Sequence, residues 1–325
     1  MKTLGRIVAG VLLLALVAAV VGWLALRRGD IPYATLEARY ANAESRYLDL
    51  ADGLRVHYRD QGNPDGPVLV MVHGFSASLH TWEPWVARLG QDYRIISLDL
   101  PGHGLTRAPE GYLIPRSGFV PVIDAVVSKL GVSRFTLIGN SMGGGAAWQY
   151  ALAHPDKLEG LVLVNAAGWP PEGEAAEGSP IAFRILRNPV GRFLVKDLDA
   201  SAMTRQGLRS AFEPTPDMAD ETMVARYVDL SRAPGHRDII LGLMSGQPDH
   251  ATKEKLAAIR TPTLVIHGDT DLLIPVSAAQ KFGAAIPGST VIVYEKVGHV
   301  PMEQIADRSA SDLANWLRSI RTGPV

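Results

Sequence analysis

Ser141 stands in the run LIGNSMGGG (residues 137–145), a serine between glycines directly after an apolar stretch. A serine hydroxyl is a weak nucleophile until a base takes its proton, and the base needs a carboxylate to orient it. Both follow in the order Ser, Asp, His. The run His267-Gly268-Asp269-Thr270-Asp271-Leu272-Leu273-Ile274-Pro275 holds two candidate acids, Asp269 and Asp271, and Val297-Gly298-His299-Val300-Pro301 holds the candidate base. The chemistry these residues could do is acyl transfer, in which N–H donors hold the developing oxyanion. Candidate donors are the Phe75 amide, in His73-Gly74-Phe75, and the Met142 amide, directly after the serine.

Such chemistry depends on the elements that position it. Leu137-Ile138 ends a strand and Ala146-Ala147-Trp148 begins a helical stretch, so Ser141 falls on a strand-to-helix turn. A turn this sharp strains the backbone at the serine and needs neighbours without side chains, here Gly139 and Gly143. The following helix directs its amides and positive dipole end at any oxyanion formed there. An Asp52-Gly53 turn between Tyr47–Leu50 and Leu54–Tyr58 signals a hairpin. Val68–Val72 reads as a buried strand, and Arg94–Leu98, Phe135–Ile138, Leu161–Val164, Thr263–Ile266 and Val291–Tyr294 repeat that character. Helical stretches lie between them, at about 82–89, 118–130, 142–154, 276–285 and 302–320. The alternation implies an α/β fold, with a mainly parallel sheet covered by helices on both faces. The acid and base loops follow strands, at the sheet end where ligands collect in open α/β folds.

From Pro170 to Asp249 the alternation lapses. Met223, Val224, Tyr227 and Val228 fall on one face at helical spacing, and no buried strand is evident. The expected organisation is therefore a core in two parts, 30–169 and 256–325, with a helical cap or lid inserted over 170–255. Phe183, Ile185, Leu186, Phe193 and Leu194 are expected to pack within that insertion, some of them lining an acyl pocket.

The N-terminus is unlike the rest. Ile7–Leu26 contains no charged side chain and is long enough, at about 1.5 Å per residue, to span roughly 30 Å of hydrocarbon. Lys2 and Arg6 precede it, Arg27 and Arg28 follow it, and Trp23 lies near one end. A cleaved signal peptide has a shorter apolar region ending in a small-residue site, and the candidate Val17-Ala18-Ala19 lies inside the run. Residues 1–29 thus read as a single membrane anchor, preferably with the catalytic part outside the cytoplasm (periplasmic), although the flanking charges nearly balance. The remaining composition is that of an ordinary globular chain of 325 residues with 47% hydrophobic content. A formal net charge of -1 gives no footprint for nucleic acid, and the absence of cysteine excludes disulfides and thiol nucleophiles. No HExxH or clustered His/carboxylate spacing points to a metal, and no cofactor is expected.

The runs HGF (73–75), DLPGHG (99–104), GNSMGG (139–144), HGDTDLLIP (267–275) and VGHVPME (297–303) occur in the order found in the α/β-hydrolase superfamily, which the chain resembles from about Arg46 to Arg318. Within it, HGFSASLHTW…DLPGHGLT is most similar to bacterial, membrane-associated serine lipases and esterases. The resemblance implies Ser141 as nucleophile, His299 as general base and acid, and Asp271 as orienting acid, because the family's acid usually stands four residues before a proline, here Pro275. Members with an earlier acid carry it after the strand that here ends in Asn165. His73 and His103 are read as holding the loops that carry the HG and PGHG turns, His267 as ending a strand, and His57, His80, His154, His236 and His250 as surface or core residues. The implied activity is hydrolysis of a small-molecule or lipid carboxylic ester. Ring-cleavage carbon–carbon hydrolases also carry GNSMGG and form the alternative, followed by a non-catalytic binding protein on the same fold. Haloalkane dehalogenases and epoxide hydrolases need a carboxylate where Ser141 stands.

Overall fold

Eight strands form one sheet: β1 (Ser45–Asp49), β2 (Arg55–Gly62), β3 (Val68–Val72), β4 (Arg94–Leu98), β5 (Phe135–Asn140), β6 (Leu158–Val164), β7 (Thr263–Gly268) and β8 (Thr290–Tyr294). The computed structural model, which describes residues 2–115, 117–170, 188–245 and 249–322, orders them β1-β2-β4-β3-β5-β6-β7-β8. The expected hairpin pairs β1 with β2, β2 pairs antiparallel with β4, and every remaining pairing is parallel. From β3 the chain passes to β4 on one side and then to β5 on the other, which opens a crevice at the C-terminal strand ends.

Side chains alternate across a strand, so each central strand feeds two cores. Val70 and Val72 of β3 face the core built with helices α4 (Val120–Lys129) and α5 (Met142–Ala153), through residues such as Ile123, Val126 and Trp148. Leu69 and Met71 face the other core, with Trp85 and Leu89 of helix α3 (Glu83–Leu89) and with Leu313 and Leu317 of the last helix, Ala306–Thr322. The strands are apolar throughout because both of their faces are covered.

Among the described residues between β6 and β7 there are helices but no strand: Pro189–Val195, Ser201–Ala211, Glu221–Ser231, His236–Ser245 and the short Lys253–Leu256. Val224 is buried against the second core with Met223, Tyr227 and Val228 beside it. Phe183, Ile185 and Leu186 lie outside the described residues. Phe193 and Leu194 correct the expectation of packing within the insertion, being 59% and 45% exposed.

Lys2–Leu26 forms one helix, α1, with its side chains exposed from Arg6 to Val21. The segment after it holds a helix, α2 (Tyr33–Tyr40), where no element is expected from the sequence. A helix of eight residues cannot offset its own nucleation, and α2 depends on tertiary contacts: Leu36 is buried with Leu105 and Leu230, and Arg39 and Tyr40 both reach Asp229. The expected 302–320 helix is divided at Ile305 into Pro301–Gln304 and Ala306–Thr322.

Candidate active site

β5 is buried along its whole length and delivers Ser141 to the crevice with φ 53° and ψ -117°. A non-glycine residue there costs about 1–3 kcal/mol and persists only when its surroundings hold it. They do so through backbone on every side. The Ser141 N–H donates to the Val164 carbonyl at 3.0 Å, and the Ser141 carbonyl accepts from Ala167 at 2.9 Å and Gly145 at 3.0 Å. The glycines are needed for contact. A Cβ on Gly139 would meet the Gly143 carbonyl oxygen at 2.2 Å, and one on Gly143 would meet the Val72 oxygen at 2.2 Å.

The loop after β3 runs against this turn. A Cβ on Gly74 would lie 2.9 Å from Asn140 Oδ1 and 3.1 Å from the Ser141 Cβ, which leaves the HGF backbone beside the serine. His73 fixes that loop, donating from Nδ1 to the Gly74 carbonyl at 2.7 Å and accepting the Leu100 N–H at Nε2 at 3.0 Å. Among the described residues the Phe75 and Met142 amides have no acceptor; Met142 is the first residue of α5, where helix N–H groups lack intrahelical partners.

His299, on the loop after β8, points Nδ1 at Asp271 Oδ2 at 2.7 Å. Both residues are buried. A carboxylate only accepts, so Nδ1 carries a proton, and the tautomer this selects for a neutral ring has its lone pair at Nε2, as a base requires. Asp271 is held at both oxygens: Oδ1 accepts the Leu273 and Ile274 amides at 2.8 and 3.0 Å, and Oδ2 also accepts Asn165 Nδ2 at 2.7 Å. Burial alone would raise the Asp271 carboxyl, but the hydrogen bonds and charge of His299, with Asn165 and the Ile274 amide, bring it below the usual carboxylate range. His267, which donates Nε2–H to the Ile274 carbonyl at 2.9 Å, is pushed down by burial and stays neutral beside Asp271. Asp269 is exposed and accepts the Lys296 amide at 2.7 Å, tying the acid loop to the base loop.

The structure therefore joins Asp271 to His299 and brings Gly74, the residue before Phe75, against Ser141, with Asn140 as a link to the base loop: its Nδ2 donates to the Val164 and His299 carbonyls, both at 3.2 Å. Sequence reasoning missed three supports. Asn165, noted only as lacking the earlier acid, clamps the acid that is present, from a backbone at φ 45°. Asn140 joins the serine turn to the base loop. Gln304 accepts the Gly298 N–H at 2.8 Å and donates to the Phe212 carbonyl at 2.9 Å, while the His299 N–H donates to Ala211 at 2.8 Å, so the inserted segment after Ser201–Ala211 seats directly on the base loop. The two asparagines carried a signal, each a polar residue at the end of a buried strand; Gln304 carried none.

A second Ser-His-Asp series lies apart from this one. Ser45 Oγ contacts His57 Nε2 at 2.9 Å, and His57 Nδ1 contacts Asp99 Oδ2 at 2.6 Å. His57 and Asp99 are fully buried, and Asp99 also accepts the Leu79 and Leu105 amides. Burial would raise Asp99, but His57, His73 and the Leu105 amide hold it far below the usual range. A base with both nitrogens engaged and no solvent access accepts no substrate proton, so this series serves to lock the DLPGHG turn against the loop after β3.

A family model described as the alpha/beta hydrolase fold matches residues 67–304, from the start of β3 through the base loop. The chain belongs to the α/β-hydrolase family. Its fold is thus the expected one, and lipase-like and esterase-like relatives occur among those it matches. A monoacylglycerol lipase of Xenopus laevis (abhd6-A) is 30% identical over 278 residues, covering 82% of this chain and 80% of the relative. A 2-hydroxy-6-oxononadienedioate/2-hydroxy-6-oxononatrienedioate hydrolase of a Pseudomonas species is 25% identical over 289 residues, covering 84% of this chain and 96% of the relative. Among solved structures, a bacterial membrane phospholipase A superposes with a TM-score of 0.72 at 25% identity, covering 99% of this chain and all of the other. The chain is a hydrolase by fold and kinship.

Proposed function

We propose that this hydrolase cleaves carboxylic esters of acyl or lipid type through an acyl-enzyme on Ser141. The observation that carries the reading is the buried His299–Asp271 pair, which leaves the imidazole Nε2 bare on the loop that Asn140 ties to the Ser141 turn. Ser141 Oγ attacks the acyl carbon as His299 Nε2 accepts its proton. The Phe75 and Met142 amides hold the oxyanion, each donor contributing about 10²–10³ in rate. The intermediate then collapses, His299 returns the proton to the departing alcohol, and water, deprotonated by His299, releases the acid and frees Ser141. Asp271 stays ionised and stabilises the imidazolium, a role its lowered carboxyl suits.

Residues 1–29 are read as a membrane anchor and 170–255 as a cap over the site, with the catalytic part outside the cytoplasm. The exposed apolar α1 supports the anchor, as does the likeness to the membrane phospholipase A, whose 99% coverage of this chain takes in α1. An anchored site meets lipid esters before soluble ones. A panel of p-nitrophenyl and glycerol esters of increasing acyl length, presented to the full chain with and without micelles, tests the reading. Rates should rise with acyl length and disappear in Ser141→Ala.

The likeness to the 2-hydroxy-6-oxononadienedioate/2-hydroxy-6-oxononatrienedioate hydrolase favours a second reading, carbon–carbon bond hydrolysis. Turnover of a vinylogous diketone with no turnover of any ester would favour it.

A further inference from the structure

The helix Pro189–Val195 carries Val190, Phe193 and Leu194 at positions i, i+3 and i+4, one face of a helix, exposed at 66%, 59% and 45%. Its polar side is engaged elsewhere: Arg192 donates to the Asp238 carbonyl at 3.1 Å, and Lys196 pairs with the Asp238 carboxylate at 3.2 Å. The apolar face is therefore directed away from the protein, and its neighbour there is the end of α1. Trp23 Nε1 donates to the Leu194 carbonyl at 2.6 Å, and the Trp23 and Phe193 rings lie 6.4 Å apart. The Asp199 N–H donates to the Leu26 carbonyl at 2.9 Å, Arg27 pairs with Asp197 at 2.6 Å, and Arg28 pairs with Asp199 at 3.0 Å.

These groups are layered. Apolar side chains of α1 and of Pro189–Val195 lie at one level, with Trp23 among them, about 5 Å before the last residue of α1 along its axis. Next come Arg27 and Arg28 with their acidic partners, beside a cleft of about 420 Å³ lined by Lys196, Asp197, Arg237 and Asp238. Apolar groups, then an indole, then paired charges is the sequence of layers at a bilayer surface. Because each of these cations has a carboxylate, attraction to anionic lipid is not the driving force; apolar burial is.

We infer that Val190, Phe193 and Leu194 form a second membrane contact, which sinks the inserted helices into the lipid surface beside α1. The inference rests on the anchor reading of residues 1–29. With the far end of the insertion bonded to the His299 loop, one subdomain would then bridge bilayer and active site, so that a lipid ester need not cross open water.

The chain has no cysteine, so single introduced cysteines give unambiguous labels. Full-length protein carrying an environment-sensitive fluorophore at Val190→Cys, Phe193→Cys, Leu14→Cys or Leu113→Cys is reconstituted in phosphatidylcholine vesicles and quenched with spin-labelled lipid or with aqueous iodide. Leu14 reports the anchor, and Leu113, 76% exposed on the core, reports water. The inference expects spin-labelled lipid to reduce emission at 14, 190 and 193 by at least about twofold, with iodide effective only at 113. Lipid quenching at 14 with iodide quenching at 190 and 193 overturns the inference and leaves the anchor reading standing. Iodide quenching at 14 overturns both. Shielding of 190 and 193 from both quenchers marks a protein contact, such as a second copy, and overturns the lipid contact.

Discussion

Gly143 and Gly145 look interchangeable in SMGGG, yet the structure separates them. A Cβ on Gly143 would sit 2.2 Å from the Val72 oxygen and 2.6 Å from the His73 oxygen, both main-chain atoms of the β3 end. An ordinary contact is about 3.5 Å, so Gly143→Ala must push the serine turn away from β3 by roughly 1 Å. Overpacking of that kind costs about 1–3 kcal/mol. Under the proposed mechanism, moving Ser141 about 1 Å from the Phe75 amide costs on the order of 10² in rate. On Gly145 the nearest atom to a Cβ is the Ala167 oxygen at 3.4 Å, an ordinary contact. There Gly145→Ala should gain up to about 1 kcal/mol from helix propensity and leave catalysis intact. Ester hydrolysis and thermal unfolding of the two variants, measured side by side in one detergent, give the answer. Near wild-type kcat/KM in Gly143→Ala, or a collapse in Gly145→Ala, would refute the packing described for the turn.

Asn165→Gly, chosen because the residue sits at φ 45°, removes a 2.7 Å charge-assisted bond to Asp271 and no substrate contact. With such a bond contributing about 1.5–3 kcal/mol, kcat should fall roughly tenfold with KM little changed, and an unchanged kcat would deny Asn165 a positioning role. Asp271→Asn should cost at least about 10³ in kcat and Asp269→Asn less than about threefold, because only the first partners His299; equal losses would dissolve that distinction. Glu303, whose carboxyl burial pushes up to about 7 despite the Thr81 hydroxyl at 2.5 Å, binds its proton more tightly folded than unfolded. Stability from this group is complete below its ordinary value of 4.5 and is lost as pH rises through about 7. Relative to Glu303→Gln, the wild type should therefore lose about 1–2 kcal/mol between pH 5 and 8, tempered by the residue's partial exposure, and parallel profiles in thermal melts would count against it.

The strand–helix alternation and the serine turn were legible in the sequence because each rests on local pattern. Apolar runs announce strands buried on both faces, and glycines at 139 and 143 announce backbone contact. Asp271 was separable from Asp269 only by resemblance. The physical reason lies in the fold: Asp271 turns inward onto Leu273, Ile274 and Asn165, while Asp269 turns out to Lys296. The roles of Asn140 and Asn165 and the contact of Gln304 with Phe212 escaped because those partners lie far along the chain, Asn165 reaching Asp271 across 106 residues. Helix α2 escaped for the same reason, since what holds it comes from Leu105, Arg107, Asp229 and Leu230. Phe193 and Leu194 were misplaced because an apolar helical face reads alike whether protein or lipid covers it.

The most direct test of the central claim is to map the adduct left by a fluorophosphonate probe on the full-length protein, by intact mass and peptide sequencing. One adduct is expected, on Ser141, formed at least about 10³-fold more slowly in His299→Ala and absent from Ser141→Ala. A folded wild-type protein that takes no adduct, or takes it on another serine, would contradict that claim.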